Sequence, residues 1–196
     1  MAGTENAYDL PEGIPAPTDD GAADHLPGIR LPSVPLNATS GDTVDLSALF
    51  GKTVVYCYPM TGRPGKDLPQ GWDEIPGARG CTPQACSFRD HHAELAQLGA
   101  RVFGLSTQST GYQREAVVRL RLPFDLLSDE DLALAEALSL PTFEADGMIL
   151  LKRLTLIIED GRVEKVFYPV FPPGKNAEEV LAWLRQQRSE VHGSAR

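Results

Sequence analysis

The chain has 196 residues, 42% of them hydrophobic, enough for one domain with a real core and some excess length. Its net charge of −9 comes without a basic stripe, so nucleic acid is not an expected partner. No run approaches the ~18 apolar residues of a membrane span, and the first residues lack the basic and apolar regions of a signal peptide. A cytoplasmic protein is therefore expected, where disulfides tend to be transient and catalytic.

Residues 1–24 hold Glu5, Asp9, Glu12, Asp19, Asp20 and Asp24 with no Lys or Arg, and are rich in Pro and Gly. They read as an acidic tail, disordered or loosely draped. The domain proper is expected over residues 25–190, with a flexible tail over 191–196. Ser40-Gly41-Asp42 is turn chemistry before a short strand over 43–46. Residues 53–58, Thr-Val-Val-Tyr-Cys-Tyr, are β-branched, aromatic and nearly all apolar, as a strand buried on both faces would be, and Pro59 ends it. Residues 60–80 are rich in Gly and Pro and lack periodicity, which predicts a long loop. Pro83 opens a helix with Ala85, Phe88, His92 and Leu95 inward, ending near Gly99.

A strand follows over 102–106. The next helix, over about 110–122, turns Tyr112, Ala116, Val117 and Leu120 inward and stops at Pro123. A brief strand over 124–127 leads to a helix over 129–138 that Ser128 would cap. Strands over 154–158 and 163–168 flank Asp160-Gly161, a hairpin signal. Asn176 with Glu179 resembles a capping box for a last helix, with Ala177, Val180, Leu181 and Leu184 on one face. The order β–α–β–α, then a hairpin and a final helix, predicts an α/β protein with a mixed central sheet flanked by helices, the connectivity of the thioredoxin fold.

The residues with the most chemistry are Cys81 and Cys86. Both lie at the start of the helix opened by Pro83, where unpaired N–H groups and the helix dipole favour a thiolate over a thiol. In an ideal helix, positions five apart have Cα atoms roughly 8–9 Å apart. A disulfide needs about 4.4–6.8 Å, so bridging the pair requires the first turns to unwind. That is the behaviour of a switch and not of a staple. Two ordinary buried cysteines are the bland alternative. Zinc binding fits less well, because no second close pair exists and the adjacent His91 and His92 diverge on a helix. His92 reads as a satisfied core histidine, and Cys57, mid-strand, as inert core.

The run over residues 54–59, Val-Val-Tyr-Cys-Tyr-Pro, followed by residues 80–90, Gly-Cys-Thr-Pro-Gln-Ala-Cys-Ser-Phe-Arg-Asp, resembles the active-site region of peroxiredoxins. It is most similar to the bacterioferritin-comigratory, Q-type subgroup, whose members often have a second cysteine five residues after the first. The resemblance continues through residues 122–129 and 152–163 and covers roughly 27–188. It implies a thioredoxin-like fold of peroxiredoxin type and a thiol-dependent peroxidase. Cys81 would be the peroxidatic cysteine and Cys86 the resolving one. Pro59 would shield the thiolate, and Arg153 would hold thiolate and peroxide. The implied substrate is hydrogen peroxide or an organic hydroperoxide. The implied partner is a thioredoxin-like dithiol reductant, with no metal or organic cofactor, in a monomer or weak homodimer.

The chain departs from the family pattern in the spacing. The family has seven positions from proline to cysteine, whereas Pro59 and Cys81 are 22 apart. Ala78 stands where the family has its catalytic threonine, Thr61 is the only threonine inside the loop, and Gln84 replaces the usual glutamate. Residues 61–79 are expected to form an ordered loop beside Cys81, anchored by Trp72, rather than a flexible bulge. A general thiol–disulfide oxidoreductase and a non-enzymatic redox sensor or binding module are the alternatives, the former weakened by the absence of Cys-x-x-Cys.

Overall fold

The computed structural model describes residues 10–193. Nine strands and five α-helices follow in chain order among them: β1 (Pro35–Ala38), β2 (Thr43–Asp45), β3 (Lys52–Cys57), α1 (Cys81–Asp90), α2 (His92–Gln97), β4 (Ala100–Ser106), α3 (Thr110–Leu120), β5 (Leu126–Ser128), α4 (Ala133–Leu138), β6 (Thr142–Ala145), β7 (Met148–Leu151), β8 (Leu154–Glu159), β9 (Arg162–Phe167) and α5 (Asn176–Gly193). Seven strands form one mixed sheet in the order β2-β1-β5-β4-β3-β8-β9. The β3–β4 and β4–β5 pairs are parallel and β3–β8 is antiparallel. This is the thioredoxin-like arrangement the element order predicts.

Strand β3 shows how the sheet separates two cores. Successive side chains point to opposite faces. Val54 and Tyr56 join the cluster formed by Phe88 of α1, Leu120 of α3 and Leu181 and Leu184 of α5. Val55 and Cys57 join Leu105, Leu127, Leu134 of α4 and Leu26 on the other side. Every side chain from Val54 to Tyr58 is buried, which explains the apolar run in the sequence. Burial pushes the Cys57 thiol far above the usual range, consistent with an inert core residue on the face away from Cys81.

The hairpin signal at Asp160-Gly161 holds: both residues have positive φ, 49° and 73°, and β8 pairs with β9 around them. The last helix buries Ala177, Val180, Leu181 and Leu184 as expected. It runs on to Gly193, into the stretch read as a flexible C-terminal tail, whose remaining residues lie outside those described.

Several expectations are corrected. The helix opened by Pro83 is two helices, broken at His91, and His92 is half-buried with its ring 5.9 Å from Phe124 instead of in the core. On α3 the inward polar residue is Gln113, which donates to Ser106 Oγ and the Leu127 carbonyl, while Tyr112 is half-buried. Ser128 caps nothing; its hydroxyl donates to the Gln108 carbonyl. The Asp129 carboxylate instead accepts the amides of Leu134 and Ala135 at the start of α4. The β6–β7 hairpin and β1 had no counterpart in the sequence reading.

Residues 1–9 of the expected acidic tail lie outside those described, but residues 10–24 are laid onto the domain. Asp20 accepts from Lys152 Nζ and from the Tyr168 hydroxyl, both at 2.7 Å. These two bonds and the Ala22 amide hold its carboxyl well below the usual carboxylate range. Ala23 is buried in the core. Of the two readings, disordered or loosely draped, residues 10–24 follow the second, because Asp20 has a cationic partner from the link between β7 and β8 and a phenolic one from the chain after β9.

Candidate active site

Cys81 is the first residue of α1. The chain arrives there through Gly80, whose φ of 108° lies in the region that favours glycine. A Cβ at Gly80 would meet Pro173 Cγ at 2.3 Å, so no other residue fits without displacing the chain before α5. The Cys81 side chain is 6% exposed. Arg153, between β7 and β8, donates to Cys81 Sγ through Nη2 at 3.2 Å. The same nitrogen donates to the carbonyls of Ala78 (3.1 Å) and Arg79 (3.2 Å).

Arg153 is buried, and its other Nη donates to Gln84 Oε1 in the next turn of α1. Gln84 Nε2 then donates to Asn176 Oδ1 at 3.0 Å, and Thr155 Oγ1 donates to the same oxygen at 2.6 Å. All four of these side chains are buried. This chain of bonds ties α1, β8 and α5 to the guanidinium. Among the described residues no carboxylate lies within ion-pair distance of Arg153. A buried cation surrounded by neutral acceptors lacks an anionic partner, and Cys81 Sγ is the one atom in its reach that can carry negative charge. Asn176 is thus no capping-box residue, as its pattern had suggested; its Oδ1 accepts from Gln84 and Thr155 instead.

The loop of residues 61–79 is ordered and stands beside Cys81. Trp72 is 4% exposed, and it forms a satellite core with Ala78, Leu150 and Ala145, against which Leu68, Ile75 and Phe143 pack. The β6–β7 hairpin therefore acts as the platform on which the loop rests. Between loop and α1 lies a cavity of about 370 Å³, lined by Met60, Leu68, Trp72 and Cys81 among others.

Ala78 contributes its backbone and not its side chain: its carbonyl faces Cys81 Sγ at 3.9 Å and accepts from Arg153. Thr61 is brought back to the site. It is buried and lines a small inner cavity together with Cys81, Tyr56 and Tyr58. Its amide and hydroxyl both point to Gln108 Oε1, at 2.9 and 3.2 Å. Pro59 is buried at the end of β3 but lines neither cavity.

Cys86 lies one and a half turns further on, 3% exposed within the core cluster of α1. Burial pushes its thiol up, with the nearby Arg89 charge opposing. The three cysteines are free thiols. Thr155 and Gln108 escaped sequence reasoning, while Gln84 was noted only as a departure from the family motif and Asn176 only as a helix cap. For Thr155 and Gln108 the only signal available was a polar residue in an apolar stretch or beside a helix start.

A thioredoxin-like sheet with a buried thiol at a helix start, facing an arginine, defines a thiol-redox protein. Residues 22–181 match the Redoxin family. Peroxiredoxin Q, chloroplastic, of Populus jackii is 32% identical over 159 residues, covering 81% of this chain and 67% of that protein. Peroxiredoxin Bcp of Bacillus subtilis (strain 168) is 34% identical over 143 residues, covering 70% and 82%. The crystal structure of peroxidoxin BcpB from Mycobacterium tuberculosis superposes with a TM-score of 0.67 at 28% identity, over 83% of this chain and 98% of that one. The chain belongs to the Redoxin family and, within it, to the peroxiredoxins of Q/Bcp type, enzymes that are thiol-dependent peroxidases.

Proposed function

We propose that Cys81 is the peroxidatic cysteine and Cys86 the resolving one. The observation that carries this is the 3.2 Å contact between Arg153 Nη2 and Cys81 Sγ at the first residue of α1. The Cys81 thiolate attacks the distal oxygen of a hydroperoxide. The O–O bond breaks, the proximal oxygen leaves with a proton as water or alcohol, and Cys81 becomes a sulfenic acid. Arg153, held by Gln84 and the Ala78 carbonyl, donates to the sulfur in the ground state and to the oxygens as charge moves onto them. Pro59 acts on this step through the backbone that it fixes between Tyr58 and Met60.

Cys86 then attacks the Cys81 sulfur and water leaves. In the folded helix its thiol is buried and kept protonated, so this step waits for α1 to unwind. Unwinding shortens the distance and hydrates the thiol at once. A dithiol reductant of thioredoxin type returns both cysteines by exchange, in a reducing compartment such as the cytoplasm. A monomer or weak homodimer suits this cycle, because a disulfide between Cys81 and Cys86 of the same chain needs no second subunit.

Peroxide consumption with a thioredoxin reducing system tests the roles. Cys81→Ser should lose turnover. Cys86→Ser should consume one peroxide per chain, then stall and over-oxidise at Cys81. A sulfinic mass on Cys86 instead would reverse the assignment. Reduction of a protein disulfide without peroxide consumption would favour a general thiol–disulfide oxidoreductase.

A further inference from the structure

The cavity outside Cys81 is lined by Arg63, Lys66, Arg79 and Arg119 and by no acidic side chain. That is a local exception in a chain of net charge −9. Two of the four are already paired. Arg79 meets Asp73 at 3.1 Å, and Arg119 meets Glu115 at 2.6 Å. The other two have no carboxylate within ion-pair distance among the described residues. Arg63 lies 3.8 Å over the Tyr112 ring and donates to the Gly111 carbonyl. Its Nε is buried without a hydrogen-bond partner. Lys66 is exposed at the rim. Both belong to the loop of residues 61–79, and so does much of the apolar wall that faces them, Leu68 and Trp72.

Resting on the assignment of Cys81 as the peroxidatic residue, we propose that this loop makes the enzyme selective for organic hydroperoxides that carry a carboxylate. Hydrogen peroxide needs only Cys81, which lines this cavity, and Arg153, which donates to its sulfur. A volume of about 370 Å³ takes a much larger molecule. The lining divides such a molecule in two, with Met60, Leu68 and Trp72 for an apolar body and Arg63 and Lys66 for an anionic end. An exposed phosphate or carboxylate would serve a cation equally well. The hydroperoxide must still reach a sulfur that is 6% exposed, and the apolar lining favours the singly charged carboxylate, which costs less to strip of water than a phosphate dianion. Cations lining a cleft of low dielectric concentrate an anionic substrate and speed its capture about 10- to 1000-fold. The reaction at Cys81 is unchanged: the peroxide is reduced to the alcohol, Cys81 is oxidised to the sulfenic acid, and the carboxylate takes no part in it.

The test compares kcat/KM for cumene hydroperoxide and its para-carboxylate on the full chain with a dithiol reductant, alongside hydrogen peroxide. The carboxylate should be preferred at least about tenfold at low salt. The preference should shrink toward one as ionic strength rises from about 0.01 to about 0.5 M, since screening acts on the recognition alone. The variant Arg63→Gln/Lys66→Gln should bring the ratio near one. Turnover of hydrogen peroxide without any carboxylate preference, or a preference that salt does not change, overturns this inference and leaves the peroxidase assignment intact. Turnover of none of the three peroxides overturns the peroxidase assignment itself.

Discussion

The inner wall and the outer mouth of the Cys81 pocket are held by different means. The wall is a file of buried hydrogen bonds, Thr155 to Asn176 to Gln84 to Arg153 to Cys81, drawn from α1, β8 and α5. The mouth is a loop held by one large apolar anchor, Trp72, on the β6–β7 hairpin, with partly exposed ion pairs at its rim. Buried polar bonds fix angles, because every unsatisfied partner is costly. Apolar contacts fix position without direction. The difference suits a site whose reacting atoms need fixed geometry while its entrance needs only shape and charge. It also separates the consequences of damage: the wall should fail in rate and the mouth in local order.

The largest effect is expected at the mouth's anchor. Trp72→Ala should cost the loop about 3–5 kcal/mol, the usual range for a large aromatic removed from a core. Hydrogen exchange should then become fast over residues 61–79 while β3 and β8 stay protected. Loss of protection across the whole sheet would show that mouth and wall are one cooperative unit, and the comparison would break.

Arg153→Met should slow the reaction with hydrogen peroxide at least about tenfold, since a charge-assisted bond is worth about 1.5–3 kcal/mol. Arg153→Lys should recover little, because an ammonium cannot reach Gln84, the Ala78 carbonyl and Cys81 in one planar fork. An unchanged second-order rate would make Arg153 merely structural.

A smaller loss is expected one step back. Asn176→Ala leaves Gln84 and Thr155 with buried donors unsatisfied, which costs about 1–3 kcal/mol of stability. It should lower the midpoint of thermal unfolding and slow peroxide reduction less than Arg153→Met does. Equal rate losses would mean that Arg153 acts only through its anchor.

The smallest effect is expected at Asp20, which is solvent-exposed and joins the N-terminal segment to Lys152 and Tyr168. Its carboxyl is held below its unfolded value, so the anchor contributes fully above about pH 4 and is lost as pH falls through the lower, folded value. Proteolysis of residues 10–24 should therefore quicken on acidification, and Asp20→Asn should show the faster rate already at neutral pH. A pH-independent rate, the same in the variant, would remove Asp20 as the anchor.

Much of this protein was legible in its sequence. Local rules decided those parts: the β-branched run of β3, the Asp160-Gly161 turn, the apolar stripe of α5, and two cysteines at a helix start too far apart to bridge without unwinding. The family motif named Arg153 as well. What escaped was decided by contacts distant in sequence. Asn176 reads as a helix cap in isolation, because its amide suits that role. Only the packing of α5 against β8 and α1 turns it toward Thr155 and Gln84. Thr61 comes back to Cys81 while Ala78 stays beside it through its carbonyl, because the path of a loop without periodicity is set by where Trp72 finds a hydrophobic seat. That seat is the β6–β7 hairpin, whose short strands carry too few residues to show a pattern. The acidic N-terminal segment looked unstructured by composition, and a single lysine and tyrosine on the folded surface give its Asp20 a reason to settle. Local pattern determines which elements form and where a reactive thiol can sit. Which polar groups meet around that thiol depends on three-dimensional packing, since a hydrogen bond is decided by distance in space and not by separation along the chain.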